Sequence, residues 1–431
     1  MKRALESSLL LWKNTQTKKP LILEGARQVG KTYLVNSFAA QHYKNVFHFN
    51  FEEAPNLRNC FTNSLSPADI IQRLEIFANK QISAKTDLIF FDEIQLCSEA
   101  LTSLKYFYEK NPEYNIVGAG SLLGVALNRK TSFPVGKVEL LTLYPLSFIE
   151  FLNAIDKGML AEFIQKGLKG DNTFHEELLY LFKLYTFIGG MPEVIINYIK
   201  NKDLAIVRKI QNQILLTYDR DFSKYATPSE TLKIRQIWDS VPSQLAKENK
   251  KFIFTAVAKS ARAREYETAL RWLKDAGLIN ISYLVETPKI PLEVVKDINA
   301  FKVFLLDTGL LCAKTDLPAT SILDPEATLF TQFQGASFEN IISQELIANN
   351  IGKLYYWGIS NKAEVDFLLQ INDRVIPLEA KSGNNRKSRS LTSYINRYNP
   401  KQAFRVGIRG YSTSGEIVEL PVYGLKEVLK G

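Results

Sequence analysis

Short apolar segments alternate with amphipathic helical patterns through the first 150 residues. The segment at 88–91 is continuously apolar, as in a strand buried on both faces, and the segment at 46–51 alternates with a period of two residues. Strands that alternate with helices are typical of an α/β domain built on a parallel sheet. The predicted strands are residues 21–23, 46–51, 88–91, 115–121 and 138–143, and the predicted helices are residues 3–13, 31–39 and 67–79.

The pattern changes after residue 150 and predicts three further domains. Residues 151–228 read as helices that are interrupted by a Gly-Gly-Met-Pro sequence, so we expect a helical connector. Residues 229–290 resemble a winged helix-turn-helix, because three predicted helices precede a short strand that would form the wing. Those helices are residues 232–245, 254–259 and 265–276, and the wing strand is residues 279–284. The predicted domains are therefore 1–150, 151–228, 229–290 and 291–431.

Two apolar-rich segments near the C-terminus flank a tight-turn sequence and predict a β-hairpin. The segments are residues 364–371 and 375–381, and the turn is Asn372-Asp373. Symmetric pairing about this turn sets Asp366 opposite Glu379, and Glu364 opposite Lys381. These four side chains would share one face of the hairpin, while the other face is apolar and belongs in a core.

Composition restricts the class of protein only loosely. The chain has 431 residues, 46% of them hydrophobic, a net charge of +9 and a pI of about 9.1, which permits a nucleic-acid partner without requiring one. Cys60, Cys97 and Cys312 are few and far apart, which argues against a disulfide framework and for a reducing compartment. No apolar run approaches a membrane span. We therefore expect a cytoplasmic location and no membrane partner.

Residues 25–32 follow the first predicted strand and match the phosphate-binding pattern G-x-x-x-x-G-K-[ST]. The two glycines let the backbone fold tightly around an anion, and the helix that begins near Lys31 directs its positive dipole end at the same point. Lys31 would contact the β- and γ-phosphates of ATP, and the Thr32 hydroxyl is suited to ligate Mg²⁺. The predicted nucleotide-binding residues of this loop are Gly25, Ala26, Arg27, Gln28, Val29, Gly30, Lys31 and Thr32.

Polar side chains follow two other predicted strands, where they would reach the same nucleotide. Asp92 is predicted to hold Mg²⁺, and Glu93 is predicted to polarise a water molecule for attack on the γ-phosphate. Two acids after a strand also suit a plain helix N-terminus, but the phosphate loop upstream favours the catalytic interpretation. Ser121 is a candidate γ-phosphate sensor, with a serine in an ordinary turn as the alternative.

Six short motifs give the chain a recognisable signature. They are residues 25–32 (GARQVGKT), 91–95 (FDEIQ), 118–121 (GAGS), 144–148 (YPLSF), 189–193 (GGMPE) and 306–310 (LDTGL). Together they resemble the AAA-type ATPases of bacteria and archaea that carry a C-terminal domain of unknown function. The resemblance covers nearly the whole chain and implies ATP binding and hydrolysis, but it does not identify the biological substrate.

One position departs from that family. Gly136-Lys137 stands where such proteins commonly have Gly-Arg. A lysine offers a point charge without the bidentate fork of arginine, so an arginine-finger role at this position is left open. Arg27 and Arg129 are the other candidates, and each also fits a plain surface charge.

Carboxylates of the predicted C-terminal hairpin suggest a second site. Asp366 and Glu379 would repel each other across the two strands, and a divalent cation would offset that repulsion. Glu339, in a helix predicted at 338–347, is a third candidate metal ligand, and Lys381 could stabilise a scissile phosphate.

This set resembles the metal-binding core of restriction-endonuclease-like nucleases, with Asp366, Glu379 and Lys381 as catalytic residues. An inactive nuclease fold held by salt bridges is the alternative. The predicted fold class is thus α/β: an AAA/ASCE-type P-loop NTPase with a parallel sheet, a helical connector, a winged helix-turn-helix and a C-terminal α/β restriction-endonuclease-like domain.

Two basic segments favour contact with phosphates, although a packing role or a solvated surface remains open for both. The first lies in the predicted recognition helix and the second follows the hairpin. They consist of Arg262, Arg264, Arg271 and Lys274, and of Lys381, Arg386, Lys387 and Arg389. Our first hypothesis is an ATPase whose nucleotide state controls a nuclease-like region that engages DNA or another nucleic acid. The second is a nucleotide-gated switch or scaffold that acts on a protein partner, and a homo-oligomer is open in both cases.

Overall fold

The chain forms two units: residues 2–144 with 275–277, and residue 1 with 145–274 and 278–431. The computed structural model describes residues 1–121, 123–124, 133–168, 170–247, 250–259, 261–323, 333–359, 363–383 and 388–430.

A parallel sheet of five strands forms the centre of the first unit. Its strands are β1 Leu21–Glu24, β2 Asn45–Asn50, β3 Asp87–Asp92, β4 Asn115–Gly120 and β5 Glu139–Thr142. They lie in the order β2-β3-β4-β1-β5, and neighbouring strands pair in parallel. Strands β3 and β4 are buried along their whole length, which explains their apolar or small residues. The predicted α/β architecture with a parallel sheet is confirmed.

Helices accompany this sheet in the described part of the unit. They are α1 Glu6–Asn14, α2 Lys31–His42, α3 Asn59–Thr62, α4 Pro67–Ala78 and α5 Ser98–Lys110, and two 3₁₀ turns span Pro55–Arg58 and Ile94–Leu96. Leu74 of α4 and Leu104 of α5 join Phe49 of β2 and Phe91 of β3 in one buried cluster. Because β3 is held between this cluster and its neighbouring strands, the position of its C-terminal end is fixed.

The second unit is mostly helical before its sheet begins. Its helices, in chain order, are α6 Phe148–Ala154, α7 Gly158–Lys166, α8 His175–Ile188, α9 Pro192–Asn201, α10 Leu204–Tyr225, α11 Pro228–Leu245, α12 Ala263–Asp275, α13 Leu292–Val295, α14 Thr308–Lys314, α15 Thr320–Leu323, α16 Phe333–Ala348 and α17 Arg389–Tyr398. Two 3₁₀ segments span Phe254–Ala256 and Val422–Lys430. In the described part of the chain no single helix is long and apolar enough to cross a membrane; α8 and α9 qualify only as a pair, which bends by 119°.

An eight-stranded mixed sheet closes the second unit. Its strands are β6 Ile279–Val285, β7 Asp297–Leu305, β8 Leu354–Ile359, β9 Ala363–Ile371, β10 Arg374–Lys381, β11 Ala403–Gly407, β12 Ser412–Ser414 and β13 Ile417–Pro421. They lie in the order β12-β13-β11-β10-β9-β8-β6-β7. The hairpin of β9 and β10 has the predicted symmetric register, from Arg374 opposite Ile371 to Leu378 opposite Phe367.

Two segments differ from the sequence-based expectation. Strand β6, predicted as a wing, pairs antiparallel with β7 and parallel with β8 inside the large sheet. In place of the helix predicted at residues 254–259, Phe254–Ala256 form a 3₁₀ turn. The local pattern identified β6 as a strand, but its second neighbour, β8, lies about 70 residues further along the chain.

Helix α16 is the centre of a buried polar network, which we call the α16 network. Its members are Tyr185, Asp307, Asn340, Gln344 and Glu345, all at most 5% exposed. Gln344 donates to Tyr185 Oη at 2.9 Å and to Asp307 Oδ2 at 3.3 Å, and Asn340 Oδ1 accepts from Leu305 N at 2.7 Å. Glu345 Oε1 accepts from Phe148 N at 2.8 Å and lies 2.9 Å from Tyr185 Oη.

The same network explains the Gly-Gly-Met-Pro and Leu-Asp-Thr-Gly motifs. Asp307 caps α14 by accepting from Leu310 N at 2.9 Å, and it accepts from Gly190 N at 2.6 Å. Gly189 has φ of +79°, and a Cβ there would lie 2.2 Å from Asp307 Oδ1. Only glycine therefore fits against this carboxylate. The two motifs form the contact between the α8–α9 connection and the start of α14.

Glu345→Gln should reduce the pH dependence of stability. Burial raises the pKa of Glu345 to about 7, above its ordinary value of 4.5, so the folded chain retains a proton that the unfolded chain releases. This contribution to stability is complete below pH 4.5 and is lost as the pH rises through about 7; at 1.36 kcal/mol per pKa unit it amounts to about 3 kcal/mol. Glutamine retains an oxygen acceptor without titrating.

Urea unfolding between pH 5 and 8 measures the effect. The free energy of unfolding should fall more steeply with pH in the wild type than in Glu345→Gln, and the exposed control Glu193→Gln should follow the wild type. Equal slopes in all three proteins would contradict a buried proton on Glu345.

Candidate functional site

The loop between β1 and α2 has the backbone that a phosphate-binding loop needs. Gly25, Gln28 and Gly30 have φ of +145°, +67° and +94°, so the chain turns tightly before α2. A Cβ at Gly25 would lie 2.2 Å from Leu143 O, so only glycine fits there. Helix α2 begins at Lys31, directly after the loop, and its positive dipole end is available to an anion.

Lys31 is held inside this loop by the loop's own carbonyl groups. Its ammonium donates to Gly25 O at 2.9 Å and to Ala26 O at 2.8 Å, and the side chain is 7% exposed. Burial lowers the pKa of Lys31 to about 8, against the opposing effect of the carboxylates of Glu93 and Asp92. A phosphate group would give this amine a full counter-charge in place of two neutral acceptors.

A buried arginine that the sequence analysis did not identify supports the loop from behind. Arg3 is 6% exposed, and its guanidinium donates to Val29 O at 2.9 Å and to Tyr144 O at 2.6 Å. It thereby joins the phosphate loop to the segment after β5. Its position 26 residues before Val29 gives no local sequence signal.

Asp92 and Thr32 lie together as the sequence predicts. Thr32 Oγ1 donates to Asp92 Oδ2 at 2.8 Å, and Asp92 is 3% exposed. Glu93 N donates to the other carboxylate oxygen at 3.1 Å, and His48 Nε2, which was not predicted, lies 3.2 Å from Oδ2. A hydroxyl and a carboxylate in contact are hard oxygen donors that fit Mg²⁺ with its remaining water ligands.

Glu93 is restrained beside Asp92 by a neighbouring amide. Its backbone has φ of +51°, and its carboxylate accepts a short hydrogen bond from Gln95 Nε2. Gln95 lies against the end of β4, where a Cβ at Gly120 would be 2.3 Å from its Oε1. Ser121 follows at the same end of the sheet and is 7% exposed. The Glu93–Gln95 pair is local in sequence, but no periodic pattern indicates it.

Two of the candidate arginine-finger positions, Arg27 and Lys137, lie near carboxylates of the protein. Arg27 lies 3.8 Å from a carboxylate oxygen of Glu52. Lys137 pairs with Glu109 at 3.0 Å and lies over the Tyr108 ring at 5.5 Å. Arg129 lies outside the described residues.

The second unit brings Glu339, Asp366, Glu379 and Lys381 into one region, together with residues that the sequence analysis left out. The additional residues are Glu364, which the analysis placed only on the shared face, and two lysines, Lys250 and Lys302. Asp366 Oδ2 accepts from Ala380 N at 2.8 Å, which holds β9 and β10 together beside the acids. We call these seven residues the acid–lysine cluster.

Lys302 lies among the carboxylates of this cluster. Its Nζ is 2.5 Å from Glu364 Oε1, 3.3 Å from Glu339 Oε2 and 3.8 Å from Asp366 Oδ1. Lys250 forms a short ion pair with the other oxygen of Glu339. Among the described residues, no group of three or more His, Cys, Asp and Glu side chains has an arrangement that could hold a metal ion. The structure thus differs from the predicted metal centre of Glu339, Asp366 and Glu379.

The pKa values of the acids and lysines in this cluster depend on one another. Burial alone would lower the pKa of Lys302, but three carboxylates raise it above its ordinary value. Burial opposes ionisation of Glu339, yet Lys302 and Lys250 hold its pKa below the ordinary range. Burial and the Glu339 carboxylate raise the pKa of Asp366 to about 8.

Glu379 pairs with Lys381 at 2.8 Å, while its second oxygen is buried without a hydrogen-bond partner.

Basic side chains are exposed on two surfaces of the second unit. Arg262, Arg264, Arg271 and Lys274 lie in or beside α12 and are solvent-exposed. A groove beside α17 is lined by Ser388, Arg389, Thr392, Ser393, Asn396, Arg397 and Arg405. Arg386 and Lys387 of the predicted basic loop lie outside the described residues.

Solved structures share limited likeness with the chain. The Walker-type ATPase PABY2304 of Pyrococcus abyssi is 15% identical, with a TM-score of 0.43, over 73% of this chain and 95% of that one. The Orc1 protein of Aeropyrum pernix in complex with DNA is 11% identical, with a TM-score of 0.33, over 74% and 94%. The Holliday junction branch migration motor RuvB of Thermotoga maritima is 16% identical, with a TM-score of 0.30, over 66% and 89%.

Family models match three segments of the chain. Residues 17–152 match an AAA domain, and residues 179–321 and 334–421 match two domains of unknown function, DUF8612 and DUF4143. No curated protein matches the chain. The AAA match covers the five-stranded sheet, the phosphate-binding loop with Lys31 and Thr32, and Asp92 at the end of β3. Residues 17–152 are therefore similar to an AAA domain and contain its P-loop.

Proposed function

We propose that this chain hydrolyses ATP and couples its nucleotide state to a C-terminal region that engages nucleic acid. The main support for ATP hydrolysis is the contact of Thr32 with Asp92 at 2.8 Å, beside Lys31 and Glu93. A loop that binds phosphates, a pair of hard oxygen ligands and a carboxylate next to them are the parts that phosphoryl transfer to water requires.

Each residue of this site has a distinct task in the proposed reaction. Lys31 exchanges the carbonyl groups of Gly25 and Ala26 for phosphate oxygens when ATP enters. Thr32 and Asp92 would hold Mg²⁺, which neutralises charge on the β- and γ-phosphates. Glu93 leaves Gln95, orients the attacking water and accepts its proton, and Ser121 contacts the γ-phosphate.

The second half of the proposal concerns residues after 144. We interpret β8–β11 with α16 as a restriction-endonuclease-like core and α11–α12 as winged-helix-like, in line with the hairpin register and the helix that carries Glu339. The arginine-lined groove beside α17 and the basic residues of α12 suit a phosphate backbone. Free, buried cysteines agree with a reducing compartment, so we propose that this occurs in the cytoplasm.

A second candidate function is a nucleotide-gated switch that acts on a protein partner or a second copy, with a nuclease-like region that does not cut. One observation favours it: an ammonium group, that of Lys302, lies among the predicted metal ligands. DNA-stimulated ATP turnover would support the first function. Turnover indifferent to DNA, with a purified protein partner that stimulates it, would support the second.

Lys31→Ala should abolish ATP turnover, because the loop loses the ammonium group that would contact the phosphates. Turnover is measured as phosphate release with Mg²⁺, and binding is measured with a fluorescent ATP analogue. The exposed residue Lys44 provides a control of the same type, and Lys44→Ala should behave as wild type. Unchanged turnover in Lys31→Ala would refute the assignment of the site.

Glu93→Gln should separate binding from hydrolysis. The amide retains the shape but accepts no proton, so turnover should fall about 100-fold or more while ATP affinity changes little. Single-turnover hydrolysis and equilibrium nucleotide binding measure the two quantities. A parallel loss of both, in a variant that unfolds like wild type, would assign Glu93 a structural role instead.

Reversing two charges in the groove should weaken nucleic-acid binding. We expect the double variant Arg389→Glu, Arg397→Glu to bind DNA more weakly and to lower the slope of log affinity against log salt by about two. Fluorescence anisotropy with labelled duplex and single-stranded DNA measures this. The matched control is Lys200→Glu, Lys209→Glu, which changes net charge equally on exposed sites of α9 and α10. Equal loss in both double variants would show that only net charge matters.

A further inference from the structure

The place that a divalent cation would take in the acid–lysine cluster is held by a side chain of the protein itself. Lys302 lies on β7, opposite Ser282 of β6, and its side chain has no solvent exposure. Its Nζ lies within 4 Å of carboxylate oxygens of Glu364, Glu339 and Asp366. These acids come from two elements, β9 and α16, and converge on the same ammonium.

The lysine cannot leave this place by a simple rotation to solvent. Its Nζ lies 5.0 Å from the centre of the Tyr356 ring, on β8, so one side of the ammonium is covered by an aromatic face. Glu339 is 4% exposed and is fixed from its other oxygen by Lys250. A cation brought from outside would have to displace a buried charge that already has three acidic neighbours.

The carboxylates of the cluster already face cations of the protein. Three ammonium groups, those of Lys250, Lys302 and Lys381, face the four carboxylates of Glu339, Glu364, Asp366 and Glu379. An added Mg²⁺ or Mn²⁺ would bring two more positive charges next to these ammonium groups.

The ligand geometry agrees with this arrangement. Mg²⁺ requires oxygen ligands at about 2.0–2.1 Å in an octahedron. One oxygen of Glu379 is directed to Lys381 at 2.8 Å and the other has no hydrogen-bond partner, while Glu364 and Glu339 are directed to Lys302. One unpaired oxygen does not supply that set of ligands. The residues present therefore do not fit the metal centre that the nuclease resemblance implies.

We infer that the ammonium of Lys302 takes the place of the catalytic cation, so that the acid–lysine cluster is metal-independent and does not perform metal-dependent phosphodiester cleavage. The inference concerns only residues of the second unit and stands whether or not the chain hydrolyses ATP or binds DNA. It turns the predicted nuclease centre into an internal ion-pair site that joins β7, β9, β10 and α16.

The first test uses the wild type and Asp366→Asn, with Mn²⁺ alone as the probe and without nucleotide. Asparagine retains the acceptor for Ala380 N and removes a carboxyl that a metal would need. Thermal unfolding after chelator treatment should respond equally to Mn²⁺ in both proteins, because any ion bound at the P-loop is common to them. A Mn²⁺-induced stabilisation of the wild type that Asp366→Asn lacks would overturn the inference.

The second test removes the ammonium in two ways. Lys302→Ala removes the charge and leaves space for an ion, whereas Lys302→Met removes the charge and keeps most of the volume. Both should lower the unfolding temperature by about 10 °C, since Glu339, Glu364 and Asp366 lose the ammonium that they share. Mn²⁺ should restore part of this loss in Lys302→Ala only, and an equal response of the two variants would contradict the inference.

A cleavage assay provides a readout that does not depend on the folding of the lysine variants. Linear, single-stranded and supercoiled DNA are incubated with wild-type protein and Mg²⁺ or Mn²⁺, with and without ATP, beside Asp366→Asn. We expect no cutting by either protein. Metal-dependent cutting by the wild type that is lost in Asp366→Asn would refute the inference while leaving the ATPase proposal intact.

Discussion

Polar side chains placed in a protein interior must find hydrogen-bond partners there, and helix α16 imposes this requirement on most of the second unit. Glu339, Asn340, Gln344 and Glu345 are all at most 5% exposed. Their partners lie on β7, on the residues around Asp307, on α8 and at the start of α6. Because the partners are so widely separated in sequence, this one helix fixes where several elements meet. Hydrophobic contacts alone would allow small shifts between them, whereas these hydrogen bonds do not.

The charged side chains of the proposed ATPase site also need partners, but here the partners compete with the proposed ligands. The protein partners of Lys31 are loop carbonyls, those of Asp92 are Thr32 and His48, and that of Glu93 is Gln95. These contacts satisfy the charged groups, and each competes with the contact proposed during the reaction. The binding of a phosphate group would therefore have to exceed the free energy of the contacts that it replaces.

Local patterns predicted the parallel sheet, the P-loop, the assignment of Thr32 and Asp92 to one Mg²⁺ ion and the hairpin register, because each follows from spacing within one motif or from strand order. The sequence did not indicate Arg3, Lys302 or the second neighbour of β6. Arg3 and Lys302 lie far along the chain from the groups they contact, and a single basic residue in an apolar strand looks the same whether it is exposed at an edge or buried against acids. At the C-terminal site the predicted acids lie together. The ammonium group that contacts them belongs to Lys302 of β7, a strand that the prediction of this site did not include.

The strand order of the large sheet also has a consequence for synthesis on the ribosome. Strands β6 and β7 form an antiparallel pair with a short connection, so they can associate as soon as both have emerged. The other edge of β6 pairs with β8, and Ser282 meets Leu354 there. At about 5–20 residues per second, this edge stays open for several seconds while the chain between them is made. A nascent chain in that interval presents an unpaired edge to its neighbours, at which intermolecular strand pairing is possible.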